Sequence, residues 1–240
     1  MKYKKIVKGK FIERPNRFVA VVNVEGQTVK AHVKNTGRCK ELLVEGAAVY
    51  LEDFEGRMGT RKMRYSLIGV EKCTDEGSIM INMDSQAPNK VVGEALAEGR
   101  LKLEGMEKLT CIKAEKTFGQ SRFDFYVEDR QERTAFIEVK GVTLENDGIA
   151  AFPDAPTERG VKHIKELADA LSAGHRAYII FVIQMKGIKE FRPNDYTHPA
   201  FGEALRDAKS CGVGIYAYDC FVTTNSLKID KPVKVNLLAK

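Results

Sequence analysis

Short alternating segments of apolar and polar residues dominate the first third of the chain. β-Branched residues recur in six of these segments, and Glu25-Gly26 fits a turn between the second and the third. Several short strands within about 80 residues are typical of a small β-barrel; an OB-like barrel is the natural candidate, with other small barrels left open. The predicted strands are Lys5–Ile12, Phe18–Val24, Gln27–Val33, Ala48–Leu51, Arg64–Val70 and Ile79–Asn82.

Helical spacing replaces this alternation near residue 85. Pro88 suits a helix start, and a first helix is predicted to end near Gly99. Two more helices are predicted over about Pro156–Ala173 and Pro199–Ser210, and the residues between Lys140 and Pro156 are predicted to form a loop. The strands predicted in this part are Thr110–Glu115, Arg122–Val127, Ala135–Lys140, Ala177–Ile183 and Gly214–Tyr218. The apolar stripe predicted for the second helix is Val161, Ile164, Leu167, Ala168 and Leu171.

The strands 122–127 and 135–140 alternate strictly and are joined by seven polar residues, which predicts a hairpin. If the pairing is symmetric about Gln131, Val127 opposes Ala135, and Asp124 opposes Glu138. The residues predicted on the apolar face are Phe123, Phe125, Val127, Ala135, Ile137 and Val139, and the other face carries Arg122, Asp124, Tyr126, Phe136, Glu138 and Lys140.

Asp124 and Glu138 would repel each other in this register, since directly opposed Cβ atoms lie about 4.5–5.5 Å apart. A hard divalent ion, Mg²⁺ or Mn²⁺, would relieve the repulsion, so these two residues are the predicted metal ligands. Lys140 points to the same side and can orient a water or steady a phosphoryl oxygen, a combination that suits phosphodiester hydrolysis. The alternative is a surface charge ladder in which Arg122 and Lys140 neutralise the acids.

The order of elements favours the metal site. Asp-x(13)-Glu-x-Lys lies on adjacent strands, after a Glu-bearing helix and before an amphipathic one, and resembles the PD-(D/E)xK nuclease superfamily. This resemblance implies a catalytic role for Asp124, Glu138 and Lys140, and an acidic residue from the first helix. Glu94 is the candidate and Glu98 the runner-up, although both also fit solvated helix positions.

Five longer motifs narrow the resemblance to the sugar fermentation stimulation protein family. Membership implies an amino-terminal OB-fold, a carboxy-terminal nuclease-like domain, DNA binding and a role in regulating sugar (maltose) use. The motifs are Asn35-Thr36-Gly37-Arg38, Gly59-Thr60-Arg61-Lys62-x-x-Tyr65, Ser121-Arg122-Phe123-Asp124-Phe125, Glu138-Val139-Lys140-x-Val142-Thr143-Leu144 and Phe152-Pro153-Asp154-Ala155-x-Thr157-Glu158-Arg159-Gly160-x-Lys162-His163.

The predicted fold class is therefore α/β, in the α+β sense. Residues 1–84 are predicted to form an OB-like basic DNA-binding barrel. Residues 85–240 are predicted to form a PD-(D/E)xK restriction-endonuclease-like domain with a mixed central sheet.

The distribution of charge is compatible with a polyanionic partner for the barrel. Residues 1–40 contain 11 Lys and Arg against 2 Asp and Glu, although a solvated surface explains this imbalance equally well. The barrel combines positive charges that could neutralise phosphates with an aromatic ring on which a base could stack. Asn35-Thr36-Gly37 also fits a simple turn. The nucleic-acid-binding candidates of the barrel are Arg61, Lys62, Tyr65, Arg38 and Asn35.

Three further nucleic-acid-binding candidates lie in the second domain. Arg159 and His163 are four residues apart near the start of the second helix, where they either hold a phosphate or form an exposed polar face. Arg122 lies beside Asp124 on the hairpin.

Two functions follow from these patterns. The first is a Mg²⁺- or Mn²⁺-dependent deoxyribonuclease; the second is a DNA-binding regulator of sugar (maltose) metabolism that uses the nuclease fold without turnover. DNA is the partner in both, with strandedness unresolved, and RNA stays open because OB barrels also accept single-stranded RNA. No apolar run approaches the roughly 20 residues of a membrane span and no signal peptide is visible, so a cytoplasmic protein without a membrane partner is expected. The sequence does not define the oligomeric state, and a homodimer stays open.

Overall fold

Five of the six amino-terminal strands form a closed barrel in the computed structural model, and the sixth, β6, pairs with β5 beside it; the model describes residues 1–35, 37–74 and 77–239. The strand order is β3-β2-β1-β4-β5-β6, and β3 closes the barrel by pairing in parallel with β5. Alternation decides which side chains fill it: Ala20, Val22 and Val24 of β2 are buried, and the residues between them are half-buried. The strands are β1 (Ile6–Asn16), β2 (Val19–Val24), β3 (Gln27–Val33), β4 (Ala48–Asp53), β5 (Tyr65–Thr74) and β6 (Gly77–Asn82).

A mixed six-stranded sheet of order β15-β14-β12-β9-β8-β7 is the centre of the second domain. The strands β7, β8 and β9 form an antiparallel meander, β12 and β14 continue in parallel from β9, and β15 returns antiparallel. The helices are α1 (Ala87–Ala97), α2 (Glu158–Ser172) and α3 (Pro199–Ser210). The sheet strands are β7 (Leu109–Phe118), β8 (Ser121–Asp129), β9 (Thr134–Val142), β12 (Arg176–Ile183), β14 (Gly214–Thr223) and β15 (Ser226–Pro232).

The two faces of this sheet are covered by different helices. α1 packs on one face with Phe125, Val127 and Ile137, whereas α2 and α3 pack on the other in the same apolar cluster as the barrel interior. The barrel and the second domain therefore share one continuous core. The ion pair of Lys72 with Glu145 at 2.6 Å reinforces the junction, and Lys34 pairs at 2.7 Å with Asp84 in the connection between β6 and α1.

A second, four-stranded sheet of order β10-β11-β13-β16 corrects the prediction of a loop between Lys140 and Pro156. Its strands are too short for any periodicity to show, and β11 pairs in parallel with β13, which lies beyond α2 and β12 in the chain. The strands are β10 (Leu144–Asn146), β11 (Ile149–Phe152), β13 (Glu190–Pro193) and β16 (Lys234–Val235).

The buried face of α2 also differs from the predicted stripe. Gly160 and His163 are buried beside Ile164 and Leu167, whereas the predicted core residues Val161, Ala168 and Leu171 are only half-buried. Gly160 explains this rotation, because a Cβ there would lie 3.2 Å from the Phe201 ring of α3. The absence of that Cβ lets the two helices approach on this side.

None of the helices in the described part of the chain is long and apolar enough to span a membrane.

Candidate active site

The β8–β9 hairpin carries the predicted register. Val127 pairs with Ala135, and the ladder extends to Phe125 opposite Ile137. One pair further on, where Asp124 would face Glu138, the ladder stops.

The strands separate at Asp124 because its side chain replaces a backbone acceptor. The Val139 N–H donates to Asp124 Oδ2 at 2.7 Å, whereas a continued ladder would have paired Val139 with Phe123. On the other side of β8, Glu115 lies opposite Asp124 with a φ of 56°, a left-handed conformation that breaks regular pairing there. Asp124 is therefore held at a fork between two strands.

The fork corrects the prediction for Phe123. Strict alternation placed Phe123 with Phe125, but its ring lies on the α2 side of the sheet, 5.6 Å from Phe136 and 6.0 Å from His163. Alternation assumes a strand with regular neighbours, and the pairing of β8 with β9 ends at Asp124.

Asp124 lies close to the start of α1. Asn89 Nδ2 donates to Asp124 Oδ1 at 2.6 Å. The close approach of this helix depends on Gly141 of β9, where a Cβ would lie 2.8 Å from Pro88 Cγ. Burial and the negative charge of Glu138 raise the pKa of Asp124 and outweigh these hydrogen bonds.

Glu138 is the most enclosed charge of the site, with 3% of its surface exposed. Its Oε1 accepts from Lys140 Nζ at 2.5 Å and from His163 Nδ1 at 2.6 Å. Burial opposes the ionisation of Glu138, but hydrogen bonding to His163 and the charge of Lys140 outweigh it and lower the pKa of this carboxyl. Its other oxygen, Oε2, is buried and has no hydrogen-bond partner among the described residues.

Arg159 extends this network from the first turn of α2. Its Nε–H donates to His163 Nε2 at 3.3 Å, so the imidazole proton lies on Nδ1 and is donated to Glu138. Of the two interpretations of this pair, the exposed polar face is wrong for His163, which is buried, and fits only Arg159, which is exposed. The apolar-stripe prediction missed His163 because it shares the helix face of Gly160, Ile164 and Leu167.

Glu94 lies away from this centre. Its carboxylate accepts from the Met1 amino group at 2.7 Å, and its side chain is 43% exposed. Glu98, the runner-up, pairs with Arg100. Asn89, five residues before Glu94, is the α1 side chain that reaches Asp124, and only its position directly after the helix-starting Pro88 signalled it.

Among the residues that the structure describes, no third acidic side chain joins the two carboxylates in a metal-binding arrangement. Within residues 1–35, 37–74 and 77–239, no three His, Cys, Asp or Glu side chains are arranged to hold a metal ion. Among the described residues, a cation at this hairpin would therefore take its carboxylate ligands from Asp124 and Glu138, and oxygen atoms of other kinds would complete its coordination.

The barrel loop that follows β3 reaches the same end of the sheet. The Arg38 N–H donates to Asp154 Oδ2 at 3.0 Å, and a Cβ on Gly37 would lie 2.3 Å from that oxygen. The Asn35 side chain accepts from the Gly37 N–H at 2.8 Å, as in a simple turn. Thr36 lies outside the described residues.

The other nucleic-acid-binding candidates range from half-buried, Arg61 and Tyr65, to exposed, Lys62 and Arg122. Arg61 stacks on Phe54 with its guanidinium carbon 3.7 Å from the ring centre, and Lys62 is exposed. Tyr65 is half-buried, and Arg64 covers one face of its ring at 5.0 Å. Arg122 is exposed and pairs with Glu115 at 3.6 Å, without contact to Glu138.

Comparison with known proteins identifies relatives over the whole length of the chain. Residues 12–81 match the model of the SfsA N-terminal OB domain, and residues 86–226 match that of the sugar fermentation stimulation protein RE domain. A sugar fermentation stimulation protein homolog of Ruminiclostridium cellulolyticum is 54% identical over 99% of this chain and 100% of its own length. One from Clostridium beijerinckii is 53% identical, with the same coverage.

A solved structure is similar throughout. The structure of Pyrococcus furiosus SfsA in complex with Ca²⁺ aligns with a TM-score of 0.85 at 29% identity, covering 98% of each chain. The predicted fold class and family resemblance are thereby confirmed.

Proposed function

Since the chain belongs to the sugar fermentation stimulation protein family, we propose that its forked hairpin is the active site of a divalent-cation-dependent nuclease that acts on DNA. Asp124 and Glu138 would hold Mg²⁺ or Mn²⁺, and Lys140 would assist the reaction.

The buried, unpartnered Oε2 of Glu138 carries this proposal. A buried carboxylate oxygen without a partner is costly, and native structures seldom retain one without a functional reason. Asp124 supplies a second carboxyl group, whose pKa is raised by burial and by the negative charge of Glu138. Two coupled carboxylates with a free buried oxygen are a fitting donor set for a hard cation.

The remaining side chains hold these donors in place. Asn89 and the Val139 N–H fix the two oxygens of Asp124, while His163 and Lys140 fix Oε1 of Glu138 and leave Oε2 free. When bound, the cation would neutralise charge on the phosphate and activate the attacking water. Lys140 is placed to orient that water or to contact a phosphate oxygen.

The relative from Pyrococcus furiosus supports a cation site, since its structure was determined in complex with Ca²⁺. Ca²⁺ and Mg²⁺ share a preference for oxygen ligands and differ in size and in required geometry.

The scarcity of acidic ligands favours a second candidate function. With two carboxylates and no third acidic ligand among the described residues, the fold would also suit a DNA-binding regulator of sugar metabolism that does not cut DNA. The family description, sugar fermentation stimulation, is the ground for linking such regulation to sugar use.

A cleavage assay separates the two functions. Single-stranded, duplex and branched DNA would be incubated with Mg²⁺ or Mn²⁺ and either the wild type or Glu138→Ala. The nuclease proposal predicts metal-dependent cleavage that falls on the order of a thousandfold in Glu138→Ala, as expected when a principal transition-state contact is lost. Glu94→Ala is the matched control, because the Glu94 carboxylate accepts a hydrogen bond from the Met1 amino group and lies away from the hairpin, and this variant should cut like the wild type.

The absence of cleavage across all substrates and both metals, in protein that still binds DNA, would leave the regulator as the function. Cleavage that persists in Glu138→Ala would move the active site elsewhere.

A further inference from the structure

The start of α1 is anchored by a residue that precedes the helix. Within the described residues, the N-cap residue Gln86 makes no side-chain cap, and the first helical turn contains no acidic residue. Asp84 takes both roles, because its Oδ1 accepts from the Gln86 N–H at 3.0 Å and its carbonyl oxygen accepts from the Ala87 N–H at 3.0 Å. Asp84 therefore supplies the acceptors and the negative charge that stabilise a helix N-terminus.

Asp84 is itself held by buried partners from several parts of the chain. It is 1% exposed, and its Oδ2 accepts from Lys34 Nζ at 2.7 Å and from the Tyr3 hydroxyl at 3.3 Å. The Gln184 side chain, directly after β12, donates to the carbonyl oxygen of Asp84 at 3.1 Å. Asp84 therefore keeps one position relative to both the barrel and the central sheet.

Lys34 links this anchor to the barrel. It directly follows β3, and its side chain is 15% exposed. Its carbonyl oxygen also accepts from Ser85 Oγ at 2.8 Å, so the side chain and the main chain of Lys34 both bind the connection between β6 and α1. Because the ion pair with Asp84 is largely shielded from water, removal of one partner would leave a charge in the interior without compensation.

α1 transmits this anchoring to the candidate active site. Asn89 is the third residue of the helix, and its side chain holds Oδ1 of Asp124 through the hydrogen bond of 2.6 Å. The neighbouring Pro88 is already close to β9, since its Cγ lies 2.8 Å from the position of a Cβ on Gly141. A shift at the start of α1 would move Asn89 with it, and Asp124 would lose the contact that orients one of its oxygens.

We propose that Asp84 is a positioning residue for Asp124 and that its ion pair with Lys34 couples the geometry of the cation site to the barrel. Lys34 fixes Asp84, and Asp84 fixes the turn from which Asn89 reaches the hairpin. The inference rests on the proposed function for the role of Asp124 as a cation ligand, but the placement of Asn89 can be measured without a cation.

The first test is calorimetric titration of Mn²⁺ at a temperature where circular dichroism shows every variant folded. Lys34→Met and Asp84→Asn should each weaken Mn²⁺ binding about tenfold, the lower end of the range for outer-shell partners of metal ligands. The double variant Lys34→Met/Asp84→Asn should show the same loss. It leaves neither charge unpaired and therefore keeps the test decisive where a single variant unfolds.

Lys72→Met is the matched control. Lys72 forms a similarly buried ion pair with Glu145, at 2.6 Å and with exposed side-chain fractions of 19% and 3%. This pair binds the barrel to β10 and not to the start of α1. Lys72→Met should therefore bind Mn²⁺ like the wild type, even if it lowers the unfolding temperature.

The second measurement needs no cation. In EDTA, the side-chain amide of Asn89 gives NMR signals that are assigned by their loss in Asn89→Ala. These signals should shift in the double variant, because the hydrogen bond to Asp124 changes, and they should stay in place in Lys72→Met. A role of Asp84 confined to the stability of the junction would move them in neither variant.

Unchanged Asn89 signals in the double variant would overturn the inference, as would an equal loss of Mn²⁺ affinity in Lys72→Met. If the wild type binds no Mn²⁺, the proposed cation-dependent function fails, and the Asn89 signals alone decide whether Asp84 positions Asp124.

Discussion

The two ends of the β8–β9 hairpin each bury a carboxylate, and the two carboxylates differ in how completely they are hydrogen-bonded. At the turn, Asp129 is 2% exposed and accepts hydrogen bonds from the backbone N–H groups of Glu107, Gln131 and Arg133 and from the Arg133 side chain. Burial opposes its ionisation, but these donors outweigh burial and hold the pKa of Asp129 well below its usual range. At the open end, Glu138 is equally buried but has one oxygen without a partner.

This difference separates a structural carboxylate from a functional one. The donors of Asp129 fix a turn and leave no capacity for a ligand. Asp124 and Glu138 retain mutual repulsion and a free oxygen, which cost stability in the absence of a ligand. Burial alone does not indicate a site; burial with incomplete hydrogen bonding does.

The largest expected difference concerns the two histidines that contact the hairpin. His163→Ala should weaken Mn²⁺ binding about 10–100-fold, because outer-shell partners orient metal ligands. His175→Ala is the control, since His175 hydrogen-bonds to Thr134 near the turn, with 2.6 Å between His175 Nδ1 and Thr134 Oγ1. Isothermal titration calorimetry measures both, and equal affinities in the two variants would remove His163 from the site.

Asp129, the carboxylate at the turn, should make the largest contribution to the loss of folding stability at acid pH. The folded pKa of Asp129 is lowered, so its contribution is complete above the ordinary Asp pKa and is lost as pH falls from there toward the folded value. Asp129→Asn should lower the neutral-pH unfolding midpoint by several degrees and flatten the acid limb of the stability profile. Thermal unfolding followed by circular dichroism measures this, and an unchanged acid limb would contradict it.

The contribution of Asp124 to folding stability should change with pH in the opposite direction. Its folded pKa is raised, so the unfolded chain ionises first as pH rises, and stability is lost between the two pKa values. Without metal, Asp124→Asn should therefore stabilise the protein at neutral pH by about 1 kcal/mol, the usual effect of relieving a functional-site strain. Urea unfolding in EDTA tests this; destabilisation would show that Asp124 is a structural residue like Asp129.

The smallest expected effects are those on DNA binding when single positive charges of the barrel are removed. Arg61→Ala and Lys62→Ala should weaken DNA binding a few-fold and reduce the salt slope by about one per charge removed, if each contacts a phosphate. Cation binding at the hairpin should be unaffected. An unchanged salt slope in both variants would place the DNA on another surface.

The regular part of the hairpin, its strand register, could be predicted from the sequence. Polar connection length and alternation were enough to pair Val127 with Ala135, because both are local properties of a hairpin. The crossing of Phe123 could not be predicted, since it depends on the Asp124 side chain displacing a backbone partner.

Contacts between residues far apart in the chain could not be predicted from the sequence for a different reason. Arg38 meets Asp154 across 116 residues of chain, and nothing in either segment specifies the other. Asn89 and His163 reach the hairpin only because α1 and α2 pack on opposite faces of the sheet. Glu94, the acidic residue predicted to join the site from the first helix, contacts the Met1 amino group instead.

The most direct test of the central claim is calorimetric titration of Mn²⁺ into the wild type, Glu138→Gln and Asp129→Asn, at a temperature where all three are folded. A cation site at the open end of the hairpin predicts that the wild type and Asp129→Asn bind one ion alike and that Glu138→Gln loses this binding. Equal binding by Glu138→Gln and the wild type would contradict the claim.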